Sequence, residues 1–260
     1  MRAEGLSFFP LSLHAVRLPG LTPYVPAWRL QERLVAARRR GAVPDLLLLL
    51  EHPPVYTIGR GGDASEILLD GHTRRRLGIE VHRVDRGGRV TFHGPGQLVG
   101  YGIVDLRGVG GGVHGYLRSI EAGLINVLGR LGIAARREEG LTGVWVGDEK
   151  IAAIGIRVTR GVSMHGFALN VDPDLSYFGG IVPCGIRDRG VTSIRRLLGR
   201  APDLDTVARV VAEELAAVLG RRLVWERDAS LLAPWAAEAE DGAGNGRAGA
   251  TGAPNRLATG

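Results

Sequence analysis

The sequence is poor in two reactive residue types: its 260 residues include one cysteine, Cys184, and one lysine, Lys150, against 32 arginines. A single cysteine cannot form an intramolecular disulfide, so a disulfide framework is excluded and a reducing compartment suits the chain. Long apolar runs are also missing. The leucine run at 46–50 is too short to span a bilayer, and Pro10 interrupts the apolar stretch 6–13, which no cleavage site follows. We therefore expect a cytoplasmic protein that does not bind membranes.

The overall composition is that of a folded protein with an unusual amount of glycine. Hydrophobic residues make up 45% and charged residues 23%, which is enough apolar side chain for a sizeable core. The 40 glycines follow no strict period and indicate many tight loops and close backbone contacts. The formal net charge of +6 is too dispersed to predict nucleic-acid binding, but it suits an acidic protein or an anionic ligand as partner.

Hydrophobic periodicity predicts an α+β fold in which helices pack on a mixed β-sheet. Three stretches have helical spacing, and shorter β-rich runs lie between them without regular βαβ alternation. We predict helices at 26–40, 112–132 and from 203 or 205 to 219, and strands at 45–50, 55–58, 78–84, 89–93, 98–106, 144–146, 151–158 and 162–171. We expect one catalytic domain over 1–235 and a disordered low-complexity tail over 236–260, where apolar anchors are almost absent.

The two rare residues are candidates for chemistry. Cys184 lies between Pro183 and Gly185 in a loop-forming segment, where a thiol can be exposed and act as a nucleophile, although a lone cysteine is more often a small buried apolar residue. Lys150 can exchange a proton, which arginine cannot, and its charge would favour a nearby thiolate. The alternative for Lys150 is a surface lysine on the turn that begins at Gly147.

A second candidate site is the segment 86–97 (RGGRVTFHGPGQ), which contains two arginines, a histidine, a threonine and four glycines. Glycines let backbone N–H groups approach a ligand, while Arg, Thr and His add hydrogen-bond donors and a possible base. The segment is neither a Walker loop nor a dinucleotide-binding fingerprint, and a glycine-rich hairpin with exposed arginines is the alternative. For His165 a half-buried position on a strand is the default interpretation.

Two common classes of catalytic site are poorly supported. With one cysteine and scattered histidines the sequence has no pair of residues at metal-ligand spacing, so a metal site is not expected. A Ser-His-Asp hydrolase would require a nucleophile elbow of the Gly-x-Ser-x-Gly type, which does not occur.

Taken together, four segments resemble the octanoyltransferase family of lipoate biosynthesis, also called lipoate-protein ligase B or lipoyl(octanoyl) transferase. They are 86–97, 147–155 (GDEKIAAIG), 165–170 (HGFALN) and 183–185 (PCG), and they occur in the order and with the spacing of the family. The segment 50–59 (LEHPPVYTIG) extends the resemblance towards the N-terminus. The resemblance implies the fold of the biotin and lipoate protein ligases.

The resemblance also implies a function and a set of site residues. It implies transfer of an octanoyl group from octanoyl-acyl carrier protein to a lysine of a lipoyl domain, with Cys184 as the nucleophile that takes the acyl chain and Lys150 beside it lowering the pKa of its thiol. The implied substrate-binding residues are Arg86, Gly87, Gly88, Arg89, Val90, Thr91, Phe92, His93, Ala153, Ile154, Gly155, Gly166, Phe167 and Ala168.

The expected partners are octanoyl-acyl carrier protein and the lipoyl domains of 2-oxoacid dehydrogenase acyltransferase subunits and of the glycine-cleavage H protein. Neither ATP nor a metal is expected as cofactor, because the donor is already a thioester on phosphopantetheine. Three alternatives stay open: an ATP-dependent lipoate or biotin ligase on the same fold, a cysteine-dependent thioesterase, and a non-enzymatic module that only binds acyl carrier protein.

Overall fold

A computed structural model of the chain describes residues 11–182 and 189–236, and over these ranges it has two β-sheets with helices packed on the larger one. The larger sheet has eight strands in the order β11-β1-β2-β6-β10-β9-β8-β7. Their bounds are Ser12–Leu21 (β1), Asp45–Glu51 (β2), Gln97–Ile103 (β6), Arg136–Glu138 (β7), Leu141–Val146 (β8), Glu149–Thr159 (β9), Val162–Asn170 (β10) and Arg222–Trp225 (β11). β1 runs parallel to β2 and β11, and the other neighbours are antiparallel, so the predicted mixed sheet is confirmed.

The smaller sheet consists of Val55–Ile58 (β3), Glu80–Arg83 (β4) and Val90–His93 (β5), in the order β4-β3-β5. β3 pairs with β4 in parallel and with β5 antiparallel. A separate apolar cluster that includes Tyr56, Phe92 and Phe178 stabilises this sheet.

Six α-helices are present in the described ranges. They are Tyr24–Arg39 (α1), Gly71–Arg76 (α2), Gly112–Arg130 (α3), Ile194–Leu198 (α4), Leu204–Val218 (α5) and Ala233–Ala236 (α6). α3 and α5 cover one face of the large sheet, and α1 covers the other. The side chain of Asp203 caps α5 by accepting the backbone N–H of Thr206, as the acidic residue at this helix start predicts.

The leucine run of β2 shows how the sequence creates this layered arrangement. Successive side chains of a strand point to opposite faces of a sheet, so a continuous apolar run can supply two cores at once. Leu46, Leu48 and Leu50 belong to the core beneath α1, whereas Leu47 and Leu49 belong to the core beneath α3 and α5. All five leucines are buried.

The structure corrects several predicted elements. The strand predicted at 98–106 ends at Ile103, because the Asp105 side chain accepts the backbone N–H of Arg107 and starts a 3-10 turn at Leu106–Gly108. β1, β7, β11, α2, α4 and α6 were not predicted. β1 contains Pro19 and Gly20, which weaken a strand pattern, and one of its partners, β11, lies about 200 residues away in sequence. The predicted tail lies almost entirely outside the described residues, since only Ala236 is included.

A buried carboxylate joins β2 to three other parts of the chain. Asp45, 4% exposed, accepts hydrogen bonds from Arg38 Nε at 2.7 Å, from Arg221 Nε at 3.0 Å and from the backbone N–H of Asp105 at 2.9 Å. The Arg221 side chain is as deeply buried as its partner. Removal of the carboxylate would leave that guanidinium buried without its counter-charge.

We therefore expect Asp45→Ala to lower the free energy of unfolding by about 3–5 kcal/mol, as measured by denaturant unfolding. The matched control is Glu213→Ala, which breaks an exposed ion pair with Arg130 and should change stability by less than about 0.5 kcal/mol. Equal effects of the two substitutions would show that the Asp45 cluster is not a stabilising network.

Candidate active site

A cavity of about 210 Å³ lies between the two sheets, with β9 and β10 on one side and the segment around β5 on the other. It is smaller than the roughly 300–1,000 Å³ of pockets for drug-sized ligands, which suits a short, slender substrate. The lining residues are Tyr24, Arg86, Gly88, Arg89, Val90, Thr91, His93, Tyr101, Gly140, Leu141, Thr142, Lys150, Ala153, Ile154, Gly155, His165, Gly166, Phe167 and Ala168.

Small residues on adjacent strands form the floor of the cavity. Gly166 of β10 is paired with Gly155 of β9, and Ala168 is paired with Ala153, so all four lie on one face of the sheet. A Cβ on Gly155 would lie 2.7 Å from the carbonyl oxygen of Gly87, and one on Gly166 would lie 2.1 Å from that of Gly100. Neither position has room for a side chain: Gly155 permits the close approach of the segment that contains Gly87, and Gly166 permits the close approach of the neighbouring strand β6.

The opposite wall is fixed by the buried side chain of Arg86. Its Nη2 donates to the carbonyl oxygen of Thr57 at 2.8 Å and to the Thr57 hydroxyl at 2.7 Å, and its Nη1 donates to the Gly87 carbonyl at 3.0 Å. The backbone N–H of Gly87 donates to the carbonyl of Ile156 in β9 at 2.9 Å. The glycine-rich segment is thereby attached to both sheets, and the predicted alternative of a simple exposed hairpin is wrong for Arg86.

Aromatic and histidine side chains occupy one end of the cavity. The Tyr24 ring stacks on His93 with ring centroids 6.1 Å apart, and Tyr101 donates its hydroxyl proton to His52 Nε2 at 2.7 Å. Burial lowers the pKa of His52 to about 4 and lowers the pKa of His93 well below its usual value. At neutral pH both imidazoles are therefore uncharged.

His165 is strained and fully buried, which corrects the half-buried position expected from the sequence. Its φ of +58° lies in the left-handed region, and it is 1% exposed. Its Nε2 lies 2.7 Å from Asp85 Oδ1. Because a carboxylate oxygen accepts hydrogen bonds, the imidazole carries a proton on Nε2 and donates it to Asp85. Burial lowers the pKa of His165 although the hydrogen bond to Asp85 opposes that shift, so the neutral form prevails at pH 7.

A chain of hydrogen bonds crosses the site from His93 to Thr192, two residues before α4. His93 Nδ1 donates to Gln97 Oε1 at 2.9 Å, Gln97 Nε2 donates to Asn170 Oδ1 at 2.9 Å, and Asn170 Nδ2 donates to the carbonyl of Thr192 at 3.0 Å. The Thr192 backbone N–H donates to the carbonyl of Lys150 at 3.0 Å. His93 of the segment 86–97 is in this way connected to the main chain of Lys150 in the segment 147–155.

Lys150 lies at the start of β9, and its side chain reaches the cavity. Its Nζ donates to the carbonyl oxygen of Thr142 at 3.2 Å and lies 4.8 Å from the centre of the Trp145 ring. The residue is 8% exposed, so the alternative of a surface lysine on a turn is wrong. A carbonyl oxygen and an aromatic face both interact favourably with an ammonium group, so these two contacts hold the Lys150 amine at the cavity.

Cys184 lies outside the described residues, but the chain on both sides of the segment 183–188 is well anchored. The Val182 backbone N–H donates to the carbonyl of Glu66 at 2.8 Å. On the other side, the Lys150 backbone N–H donates to the carbonyl of Gly190 at 3.0 Å, and Val191 forms a parallel bridge with Lys150. A cavity of about 20 Å³ borders Lys150 and Val191 at this point.

The structure brings most of the predicted site residues to one cavity. Of the described residues in the set, all line it except Gly87 and Phe92. Phe92 packs on Tyr177 with ring centroids 4.8 Å apart, in the core of the small sheet. The Phe167 side chain lies in the core beneath α3 and α5, on the face opposite the floor, so only its main chain can border the cavity through β10. The roles of all the predicted residues in substrate binding stay predictions.

Several lining residues were missed by the sequence analysis. They are Tyr24, Tyr101, Gly140, Leu141, Thr142 and His165, together with Asp85, which is hydrogen-bonded to His165. One sequence signal could have indicated Tyr101: it is a polar aromatic residue inside an otherwise apolar predicted strand. A buried hydroxyl requires a hydrogen-bond partner, which suggests a polar site next to it. Among residues 11–182 and 189–236, no group of three or more His, Cys, Asp or Glu side chains could hold a metal ion, and no helix is long and apolar enough to cross a membrane.

Comparison with known proteins identifies close relatives over most of the chain. The family model of the lipoyl protein ligase A/B catalytic domain matches residues 23–216. The octanoyltransferase of Rubrobacter xylanophilus is 52% identical over 211 residues, which cover 80% of this chain and 95% of the relative. That of Gloeobacter violaceus is 52% identical over 203 residues, 78% of this chain and 88% of the relative. A mitochondrial octanoyltransferase of Arabidopsis thaliana is 40% identical over 232 residues, 86% of this chain and 96% of the relative.

Solved structures with a similar fold are lipoate ligases. A lipoate-protein ligase A bound with ATP superposes with a TM-score of 0.69 at 19% identity, covering 90% of this chain and 95% of the other. The bi-partite lipoate protein ligase of Thermoplasma acidophilum gives a TM-score of 0.67 at 18% identity, with coverage of 90% and 93%. These similarities confirm the predicted fold of the catalytic domain.

The depressed pKa of His52 makes stability depend on pH. Between pH 6.5 and about pH 4 the unfolded chain binds a proton at His52 that the folded chain does not, so the free energy of unfolding falls as the pH falls. His52 alone should contribute a slope of about 1.4 kcal/mol per pH unit within this window. We expect unfolding measured at pH 7, 6 and 5 to show a flatter dependence for His52→Gln than for the unmodified protein.

The matched control is His72→Gln, at an exposed histidine of α2, which should retain the original slope. Equal slopes in His52→Gln and the unmodified protein would contradict a neutral buried His52.

Proposed function

Because the chain belongs to the lipoyl protein ligase A/B catalytic domain family and, within it, to the octanoyltransferases, it is an acyltransferase, and we propose that it works through an acyl-enzyme on Cys184. The donor is octanoyl-acyl carrier protein, and the acceptor is a specific lysine of a lipoyl domain. The single observation that carries the proposal is the position of Lys150: the only amine side chain lies at the rim of the cavity, paired through its backbone with the residues that follow the Cys184 segment.

The first half-reaction forms the acyl-enzyme. The Cys184 thiolate attacks the carbonyl carbon of the donor thioester, the bond to the phosphopantetheine sulfur breaks, and that sulfur leaves as a thiol after it takes up a proton. The charge of Lys150 stabilises the attacking thiolate and lowers the pKa of the Cys184 thiol. A thiolate suits both half-reactions, because it is a good nucleophile and a good leaving group.

The second half-reaction transfers the acyl group to nitrogen. The neutral amine of the acceptor lysine attacks the Cys184 thioester, an amide bond forms, the C–S bond breaks and the amine loses a proton. Lys150 is the group we assign to move protons between the departing thiol and the incoming amine. No ATP is needed, since the acyl group arrives already activated as a thioester, and no metal enters the scheme.

The cavity suits the acyl chain. Its floor of Ala153, Gly155, Gly166 and Ala168 leaves room for a slender alkyl group, and the substrate lies between this floor and the segment 86–93. The net charge of +6 favours encounter with the acidic surfaces that acyl carrier proteins and lipoyl domains generally have.

The decisive experiment is intact-mass analysis after octanoyl-acyl carrier protein is mixed with the protein, followed by peptide mapping and addition of a lipoyl domain. We expect one octanoyl group on Cys184 that moves to the lysine of the domain, and no adduct and no transfer with Cys184→Ser. Full transfer by Cys184→Ser would rule out the covalent route. Transfer only with ATP and free octanoate would indicate a ligase, and release of octanoate without an acceptor would indicate a thioesterase.

The role of Lys150 in proton transfer is tested by Lys150→Arg. Arginine keeps the positive charge but cannot exchange a proton at neutral pH, so kcat should fall by about 10²–10⁴-fold, the usual contribution of acid–base catalysis. Steady-state transfer rates over pH 6–9 measure the effect. A variant with the original rate and pH profile would limit Lys150 to an electrostatic role.

A further inference from the structure

Glu121 of α3 is a carboxylate buried beside the apolar core. It is 1% exposed, and it lies next to Ile120, which belongs to the core. A buried carboxylate is costly unless charges and hydrogen bonds satisfy it. Glu121 is satisfied from two sides, by arginine side chains on one oxygen and by the main chain of β8 on the other.

The two oxygens of Glu121 have different partners. Oε2 accepts hydrogen bonds from Arg118 Nη1 at 2.7 Å and from Arg137 Nε at 3.1 Å, and both arginines are partly exposed. Oε1 accepts the backbone N–H of Gly143 at 3.2 Å. The arginines balance the charge, so the bond to Gly143 is the contact that reaches the active site.

Gly143 lies close to the Lys150 side chain. Its φ of +128° is a conformation that favours glycine, and a Cβ at this position would lie 3.3 Å from Lys150 Cε and 2.7 Å from the Ala152 carbonyl oxygen. The preceding residue, Thr142, supplies the carbonyl oxygen that accepts the hydrogen bond from Lys150 Nζ. Trp145, two residues further on, supplies the ring beneath the ammonium group.

We propose that Glu121 is a positioning residue for the active-site lysine, holding the main chain at 142–143 so that the Thr142 carbonyl and the Gly143 backbone orient the Lys150 side chain. It acts through Gly143 and Thr142 and does not touch the substrate. The inference rests on the proposed function, because it assumes that Lys150 acts on Cys184. The charged neighbours of Glu121 are Arg118 on α3 and Arg137 on β7. Besides Lys150, the guanidinium of Arg189 lies near the Trp145 ring.

The test uses the reactivity of Cys184, which is the only cysteine of the chain. The rate of alkylation by iodoacetamide between pH 5 and 9 reports the thiolate at Cys184 without any assay of transfer. We expect Glu121→Leu to slow alkylation at pH 7 by about tenfold and to move the profile to higher pH, because a displaced Lys150 leaves a smaller fraction of the thiol ionised. Its thermal unfolding midpoint should fall modestly, because the buried Gly143 N–H loses its acceptor while the partly exposed arginines can turn to solvent.

Two further substitutions separate geometry from charge. Glu121→Asp keeps the charge but shortens the side chain away from Gly143, and it should resemble Glu121→Leu. Glu121→Gln keeps an oxygen that can accept the Gly143 N–H while the partly exposed arginines turn to solvent, and it should resemble the unmodified protein. The control Asp45→Asn weakens a buried carboxylate cluster elsewhere and should lower the unfolding midpoint without moving the alkylation profile.

A parallel measurement on Lys150→Met distinguishes the possible failures. If Lys150→Met shifts the profile and Glu121→Leu does not, Glu121 has no positioning role and the proposed function stands. If Lys150→Met leaves the profile unchanged, Lys150 does not act on Cys184, and that part of the proposed mechanism falls together with the role of Glu121. If Glu121→Gln is as slow as Glu121→Leu, charge and not the bond to Gly143 is responsible, which also overturns the proposal.

Discussion

The active-site cavity depends on one close contact between the two sheets, where the segment after Asp85 crosses β9 at Gly155. The Gly87 N–H donates to the Ile156 carbonyl, and the Gly87 carbonyl oxygen lies only 2.7 Å from the position that a Cβ of Gly155 would take. This contact holds the small sheet above the floor of the large one at a separation that leaves a narrow space. A larger residue at 155 would push the segment away, and with it the buried guanidinium of Arg86, which is bonded to Thr57 in the small sheet.

The distribution of charge follows from that geometry. The space between the sheets is shielded from water, so histidines there lose their protons and tyrosines keep theirs, as burial raises the pKa of Tyr101 well above its usual value. The basic side chains of Arg86 and Lys150 have hydrogen-bond acceptors there, the carbonyl oxygens of Thr57 and Thr142. A cavity with neutral histidines, a floor of small residues and an amine at the rim is suited to an uncharged alkyl chain whose reacting group lies at the rim.

Much of the architecture was accessible from local patterns. The run at 46–50 predicted a buried strand because five consecutive leucines can be accommodated only where both faces of a sheet are covered, and the spacing from 112 to 132 predicted α3. The motif residues were accessible for a different reason: clusters such as 86–97 concentrate residue types that backbone structure alone does not require. β11 escaped prediction because its partner β1 is distant in the chain, and β1 escaped because Pro19 and Gly20 interrupt its strand pattern.

The sequence by itself determined the residue types on which the chemistry depends, namely one thiol, one amine and glycines at 155 and 166, because composition and spacing are properties of the chain alone. Only the tertiary structure decided which residues meet. The pairing of Asp85 with His165 joins residues 80 positions apart, and the contact of Glu121 with Gly143 joins a helix to a strand. Such contacts are set by sheet order and helix packing, whose long-range geometry local periodicity does not encode.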